Sequence, residues 1–312
     1  MRRFLSFNDF FNEYFNGKTV KLSLDGGFTC PNRDGTLSTL GCIFCSDTGA
    51  GDFLSKGKNI NEQIEAQKTL LNKKWKAENY IAYFQNFSNT YGSYDYIENL
   101  YTSIINRNDC CAVSIASRCD CIDKRIIDLL KKLNEKKLVY LELGLQTVNE
   151  KTIDLINRGY SHKKFDATVK LLKKNNIKFL FHIIYGLPFE NKRDFKNTFD
   201  YTNEIIPFGV KFHNLYILEN SYLYKYYLEN KFKILGKDEY IDLIVSSIKN
   251  INDKTVIHRI TGDPPKQNLF EPQWCLDKLS VISQIDARLK AENIKVLTKD
   301  DINKCVKYWK NL

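Results

Sequence analysis

Cys30, Cys42 and Cys45 stand in the run Cys30-Pro-Asn-Arg-Asp-Gly-Thr-Leu-Ser-Thr-Leu-Gly-Cys42-Ile-Phe-Cys45, just after an alternating apolar stretch of Val20, Leu22 and Leu24. Two thiolates separated by two residues can grip one metal centre from a tight turn, and Cys30 supplies a third. No further cysteine follows before Cys110, and three thiolates are too few to close a structural zinc site. They suit a [4Fe-4S] cubane in which one iron lacks a protein ligand and stays open to a small molecule. A zinc ion completed by a distant residue is the alternative, although the first histidine, His162, lies more than a hundred positions on. Gly26, Gly27, Gly35 and Gly41 fit the cluster reading, because the backbone must bend tightly and approach the sulfurs closely.

Such a loop needs a scaffold, and the apolar spacing supplies one. After the first strand, Ile60, Ile64, Leu71 and Trp75 keep helical spacing, and Tyr80–Phe84 reads as a short buried strand. The alternation continues with a helix through Ile97–Ile105, a strand at Ala112–Ala116, a helix through Ile126–Leu133 and a strand at Leu138–Leu145. A helix with Phe165, Val169 and Leu172, a fifth strand at Phe179–Ile184, a helix near Asp194–Ile206 and a sixth strand at Val210–Ile217 complete the series. Strands that alternate with helices form a parallel sheet, since each crossover packs a helix back on it. The expected fold is therefore α/β, a partial (β/α)6 barrel with its chemistry at the C-terminal ends of the strands. Residues 1–220 are expected to form this core, with the cluster loop at 25–53. Residues 221–312 are expected to form a mainly helical extension flanking the mouth, broken by Thr255–Ile260 and the Gly262-Asp-Pro-Pro265 turn.

The chain has 312 residues, nine cysteines and a formal net charge of +10. No run approaches the length of a membrane span, and the N-terminus lacks the apolar core of a signal peptide. Nine cysteines without an export signal point to reduced thiols in a cytoplasmic protein rather than to a disulfide framework. The positive charge suits a polyanionic partner such as RNA. A bias toward Lys, Asn and Ile from nucleotide composition would produce the same excess. Cys110 and Cys111 point to opposite faces of one strand, so a second cluster with Cys119 and Cys121 is not expected.

The cysteine loop resembles that of the radical S-adenosylmethionine (radical SAM) superfamily, and further segments extend the likeness from about residue 20 to 275. They are Asp25–Gly35, Gly49–Phe53, Tyr83–Tyr91, Glu142–Thr147, Asn157–Gly159, Tyr185–Pro188 and His258–Asp263. The eleven-residue gap between Cys30 and Cys42 is similar to that of a bacterial subfamily related to the radical domain of the elongator catalytic subunit. The resemblance implies a [4Fe-4S] cluster whose open iron chelates the methionine of S-adenosylmethionine. One electron then cleaves the sulfonium bond to give a 5′-deoxyadenosyl radical, which abstracts hydrogen from an unactivated carbon. A reductant such as flavodoxin or ferredoxin is implied as well.

The same resemblance assigns candidate cofactor contacts. Gln85 and Asn86 end the second strand, where the superfamily binds the methionine, although the usual Gly-Gly-Glu is absent. Arg118 and Asp120 follow the third strand, anchoring cofactor or substrate or pairing with each other. Glu142 and Gln146 lie four apart on the fourth strand, facing one way. A carboxylate and an amide aimed into a barrel are costly unless they bind something; the superfamily uses this strand for the ribose and methionine, and a satisfied core pair is the alternative. Gly186 is read as adenine-side backbone. His182 and Tyr185 are candidate substrate contacts, with a hydrogen-bonded core histidine as the plain alternative for His182. His258 and Arg259, before the rigid turn, either close over substrate or are structural. Lys304, Lys307 and Lys310 line one side of a possible terminal helix, by default a solvated face.

The elongator relative acts at C5 of wobble uridines in tRNA. The sequence shows no acetyltransferase domain after the radical domain, so the expected role is remodelling of an existing C5 side chain, for example carboxymethylaminomethyl to aminomethyl. A radical SAM enzyme for a small metabolite or peptide, and a non-catalytic metal-binding RNA adaptor, are the alternatives.

Overall fold

The computed structural model describes residues 3–46 and 59–312; the Gly49–Phe53 run lies outside the described residues. Strands β1 (Thr19–Leu24), β2 (Asn79–Phe84), β3 (Ala112–Ser117), β4 (Leu138–Gln146), β5 (Lys178–Tyr185), β6 (Gly209–Asn214), β7 (Ile217–Leu218), β8 (Val256–Arg259) and β9 (Leu269–Glu271) alternate with helices. Seven strands form one curled parallel sheet in the order β1-β2-β3-β4-β5-β6-β8, a half-barrel of the TIM-like type. The expected sixth strand stops at Asn214, and Ile217–Leu218 pairs with β9 in a small antiparallel ribbon instead. Thr255–Ile260, read as a break in the extension, supplies the seventh strand beside β6.

The outer face is covered by α2 (Ile60–Asn72), α3 (Tyr94–Ile105), α4 (Lys124–Asn134), α5 (Glu150–Leu155), α6 (His162–Lys174) and α7 (Lys192–Ile205). Each buries an apolar stripe; in α4 the stripe is Ile126, Ile127, Leu130 and Leu133, with lysines outside. Polar caps start these helices sharply, as when the Asp123 carboxylate accepts from the Ile126 amide and Asn191 forms a capping box with Asp194. Helices α8 (Tyr222–Glu229), α9 (Lys237–Asn250) and α10 (Lys278–Ala291) follow β7 and flank β8. Among the described residues no helix is long and apolar enough to cross a membrane.

The lower end of the barrel is plugged by aromatic side chains. Helix α1 (Phe7–Tyr14) places Phe10 and Phe11, both fully buried, against Tyr140 of β4 and Phe208. Helix α11 (Lys299–Lys310) seals the same end with Trp309, whose ring meets Phe208 edge-on at 5.0 Å and whose indole donates to the Lys254 carbonyl. Lys304, Lys307 and Lys310 point to solvent on its other side. Water is thereby excluded from below, and access to the interior comes from the C-terminal ends of the strands and the open side between β1 and β8. Phe11→Ala is expected to lower unfolding free energy by about 3–5 kcal/mol, measured by urea denaturation.

Candidate active site at the barrel mouth

The loop from Cys30 to Cys45 sits above β1 and is clamped from the segment after β4. The Asn157 amide donates to the Gly41 carbonyl at 2.8 Å, and Asn32 donates to the Asn157 carbonyl. The Ile43 amide donates to the Ile156 carbonyl at 3.1 Å. Gly159 has φ of +79°, and a β-carbon there would stand 3.0 Å from the Asn32 side chain. Arg158 is 1 % exposed and donates to the carbonyls of Leu145, Thr147 and Tyr160. The Asn157-Arg-Gly159 run therefore fixes the cysteine loop to the barrel rim.

All three loop cysteines are free thiols. A hydrogen bond from Cys45, with help from the Arg118 charge and the Asn32 amide, pulls the Cys42 thiol down to about 7 against the opposing effect of burial. The same bond and burial push Cys45 up, and burial raises Cys30. Cys42 is thus the first of the three to ionise, which suits a thiolate ligand. Among the described residues no three His, Cys, Asp or Glu side chains close on one point as a single ion requires. A cubane takes its thiolates at separate corners, and the three-thiol donor set fits that group. Beside the loop, the Asn86 side chain donates weakly to Asp25 (3.4 Å), while its own oxygen is buried without a partner. That orphaned acceptor at the end of β2 fits the ammonium of a methionine moiety.

Below the mouth lies a charged layer. Glu142 of β4 accepts from Lys21 of β1 at 2.6 Å and Ser114 of β3 at 2.7 Å through one oxygen. Its other oxygen meets Lys211 of β6 and the His182 ring of β5, the latter at 2.8 Å. Lys211 also donates to the Tyr83 hydroxyl of β2 at 3.0 Å. Burial opposes ionisation of Glu142, yet Lys21 and Lys211 hold its carboxyl well below the usual range. Burial also pushes Lys211 down to about 7 and, with the neighbouring lysine charge, His182 down to about 4.

Several expected contacts change role. Glu142 has both oxygens engaged by protein side chains and is a structural hub of the interior. Arg118 grips Asp120 with two bonds of 2.9 and 2.7 Å and donates to the Arg158 carbonyl. Gln146 stays at the mouth: a bulge after Gly144 and a φ of +54° turn it toward a cavity of about 150 Å³, with its amide nitrogen toward the Gly144 carbonyl. That cavity is also lined by Cys45, His182 and His213, so His182 does reach open space. Gln85 directly follows β2, its backbone N–H donating to the Leu24 carbonyl at 3.4 Å.

Tyr185 departs from the substrate-facing role. It points to the helix side of the sheet, with its hydroxyl 2.8 Å from Ser247 and its ring against Phe195 and Phe212. Gly186, in the left-handed region, lies under Leu235, which would meet an added β-carbon at 3.1 Å. His258 packs among Phe7, Phe11, Tyr140 and Phe208 and belongs to the aromatic plug. Arg259 lines a second cavity, of about 350 Å³, on the open side between α1 and β8.

Lys21, Ser114, Lys211, His213 and Asn214 were not anticipated. The signal for the lysines was present: each is the one lysine of its strand, between apolar neighbours and at an inward position, and such charges are buried only with partners. Asn214 accepts from the Gly262 amide at 2.7 Å and donates to Cys275, tying the Gly-Asp-Pro-Pro turn to the end of β6.

Comparison with known proteins follows the same outline. Residues 35–202 match the radical SAM superfamily and residues 207–291 the Radical_SAM C-terminal domain. The protein YtqA of Bacillus subtilis is 36% identical over 290 residues, 93% of this chain and 90% of that protein. A tRNA uridine(34) acetyltransferase of Methanocaldococcus infernus is 29% identical over 165 residues, 51% of this chain and 30% of that protein. The Elp3 structure from the same archaeon superposes with a TM-score of 0.66 at 16% identity, covering 89% of this chain and 64% of that one.

Removing the hub's carboxylate leaves buried Lys211 and half-buried Lys21 without their shared counter-ion. Glu142→Gln is expected to destabilise the fold by about 3–5 kcal/mol, and adding Lys211→Met should recover part of that loss in urea titrations. Stability should also fall on acidification. The depressed folded-state pKa of His182, about 4 against 6.5, lets the unfolded chain bind the extra proton between those values. His213, His258 and Glu142 act in the same sense, whereas Glu190, raised to about 7 by burial, acts oppositely. The expected net result is a loss of stability between pH 7 and 4.5, read from denaturation midpoints across that range.

Proposed function

Because this chain belongs to the radical SAM superfamily, whose members are iron–sulfur enzymes that use S-adenosylmethionine, we propose that its substrate is a modified uridine in tRNA. The reaction in this reading remodels the C5 side chain of the wobble base, converting carboxymethylaminomethyl to aminomethyl. The observation that carries it is the match to tRNA uridine(34) acetyltransferases over half of the chain. The net charge of +10 supports a polyanionic partner.

In this reading Cys30, Cys42 and Cys45 hold the [4Fe-4S] cluster, and Asn86 accepts from the S-adenosylmethionine ammonium. The bound pair supplies the one-electron chemistry that removes hydrogen from an unactivated carbon, with electrons from a flavodoxin- or ferredoxin-like donor. The chain's own residues position and exclude water. Arg118, Arg158 and Arg33 surround the thiolates with positive charge. Gln146, His182 and His213 line the cavity beside Cys45, where an extruded base would present its C5 substituent. The aromatic plug keeps water from reaching this space from below.

Mass spectrometry of tRNA nucleosides from a strain lacking the gene, complemented with wild type or Cys42→Ala, tests the reading. One modified uridine should vanish, its precursor should accumulate, and wild type alone should restore the pattern. An unchanged profile under conditions of normal expression would redirect the search to metabolites and peptides.

A further inference from the structure

The charges inside the barrel do not balance. Lys21, Lys211 and Arg259 face the interior from β1, β6 and β8, around one carboxylate, Glu142. Arg259 stands in register with Lys211, and its charge acts on Lys21, Tyr83, Lys211, His182 and His213. Glu142 is already engaged by four side chains. The Arg259 side chain forms no hydrogen bond or ion pair among the described residues, and it lines the cavity of about 350 Å³ with Phe7, His258 and Lys278. Phe7 in turn lies 5.2 Å from the Lys21 ammonium, so the cavity adjoins the charged layer. Lys21 and Lys211 share the single carboxylate and half-buried Arg259 has no side-chain partner, so this edge carries an excess of positive charge that an entering anion would neutralise. A guanidinium with free donors fixes a planar oxyanion through two parallel bonds.

We propose that Arg259, backed by Lys211 and Lys21, forms a carboxylate subsite on the open side of the barrel and selects substrates whose reacting substituent ends in a carboxylate. The identity of that substituent as the carboxymethyl group rests on the function proposed above; the charge argument does not. The subsite is separate from the cysteine loop, whose thiols are influenced by Arg118, Arg158 and Arg33 instead. The two lysines are recessed, with side chains 8% and 16% exposed for Lys211 and Lys21, and Arg259 is half-buried. A short substituent reaches them more readily than a backbone phosphate running over the rim.

Acetate and acetamide are isosteric probes that differ in charge. At constant ionic strength and pH 7, excess acetate should raise the thermal midpoint of the full-length protein, and acetamide should not. Arg259→Gln should abolish that rise, Arg259→Lys should retain part of it, and both should bind S-adenosylmethionine as wild type does. With tRNA bearing the carboxymethylaminomethyl group or its methyl ester, wild type should favour the acid by about tenfold or more in kcat/KM, and Arg259→Gln should lose the preference. Equal stabilisation by the two probes, or a preference that survives in Arg259→Gln, would overturn the proposal. So would weakened S-adenosylmethionine binding in that variant, because Arg259 would then hold the cofactor's own carboxylate. Stabilisation by phosphate but not by acetate would also overturn it, assigning the cations to the RNA backbone. If tRNA proves not to be the substrate while the Arg259-dependent acetate effect persists, the subsite stands and the function reading fails.

Discussion

The carboxylate of Glu142 is the tie on which the barrel depends. It joins β4 to β1 through Lys21, to β3 through Ser114, to β5 through His182 and to β6 through Lys211. A curled, incomplete sheet has no closing strand pair, so the interior must hold its two halves together by side chains. Apolar packing does this at the lower end, where Phe10, Phe11 and Trp309 fill the space against Phe208. One layer higher the same task falls to ionic hydrogen bonds. The aromatic floor makes the arrangement effective: with water excluded from below, each bond acts in a medium of reduced dielectric. The same desolvation makes His182, His213 and His258 poor proton acceptors, keeping further positive charge out of a layer that already carries two lysines.

The cysteine loop obeys a different constraint. Eleven residues separate Cys30 from Cys42, too long a span for the turn itself to fix their relative placement, so external bonds must do so. Asn32 donates to the Asn157 carbonyl across the rim, Gly41 is held by the Asn157 side chain, and Gly159 leaves room for Asn32 where any side chain would crowd it. Arg158 anchors this clamp by saturating carbonyls left open where β4 ends in a bulge. The arginines that steady the loop also lower the first thiol's pKa, so one set of side chains serves both geometry and ionisation.

The strands were legible because a sheet buried on both faces writes near-continuous apolar runs, and β1 to β6 all begin within a residue or two of where those runs begin. Strand β8 was harder to see, being four residues long and embedded among helices. Strand parity carried more than was drawn from it. His182 and Tyr185 are three apart and must face opposite ways, so only one of them can look into the barrel. Glu142 and Gln146 share a face, but the bulge between them places one in the charged layer and the other at the mouth, and a bulge leaves no mark in a run such as Leu-Gly-Leu-Gln. His258 was legible least of all. Its surroundings come from α1, roughly 250 positions earlier in the chain, and a motif read locally shows nothing of the aromatic rings that enclose it.

The two ionic systems divide along the chain. Cys42, Cys45, Arg118 and Arg158 lie within residues 35–202, while Lys211, His213 and Arg259 lie within residues 207–291. Glu142 belongs to the first stretch but bonds to Lys211 in the second, and His182 of the first stretch bonds to Glu142. A change of side chain at position 211 or 259 therefore alters the charge presented to whatever enters the barrel without touching the cysteine loop. It also alters how firmly Glu142 holds β6, and so the position of His213 and Asn214 at the mouth. Asn214 extends this dependence to the Gly262 turn and Cys275. Selectivity in such a barrel is thus coupled to its stability through one carboxylate. A substitution that changes the interior charge must be matched by another partner of Glu142, or the two halves of the sheet lose their tie.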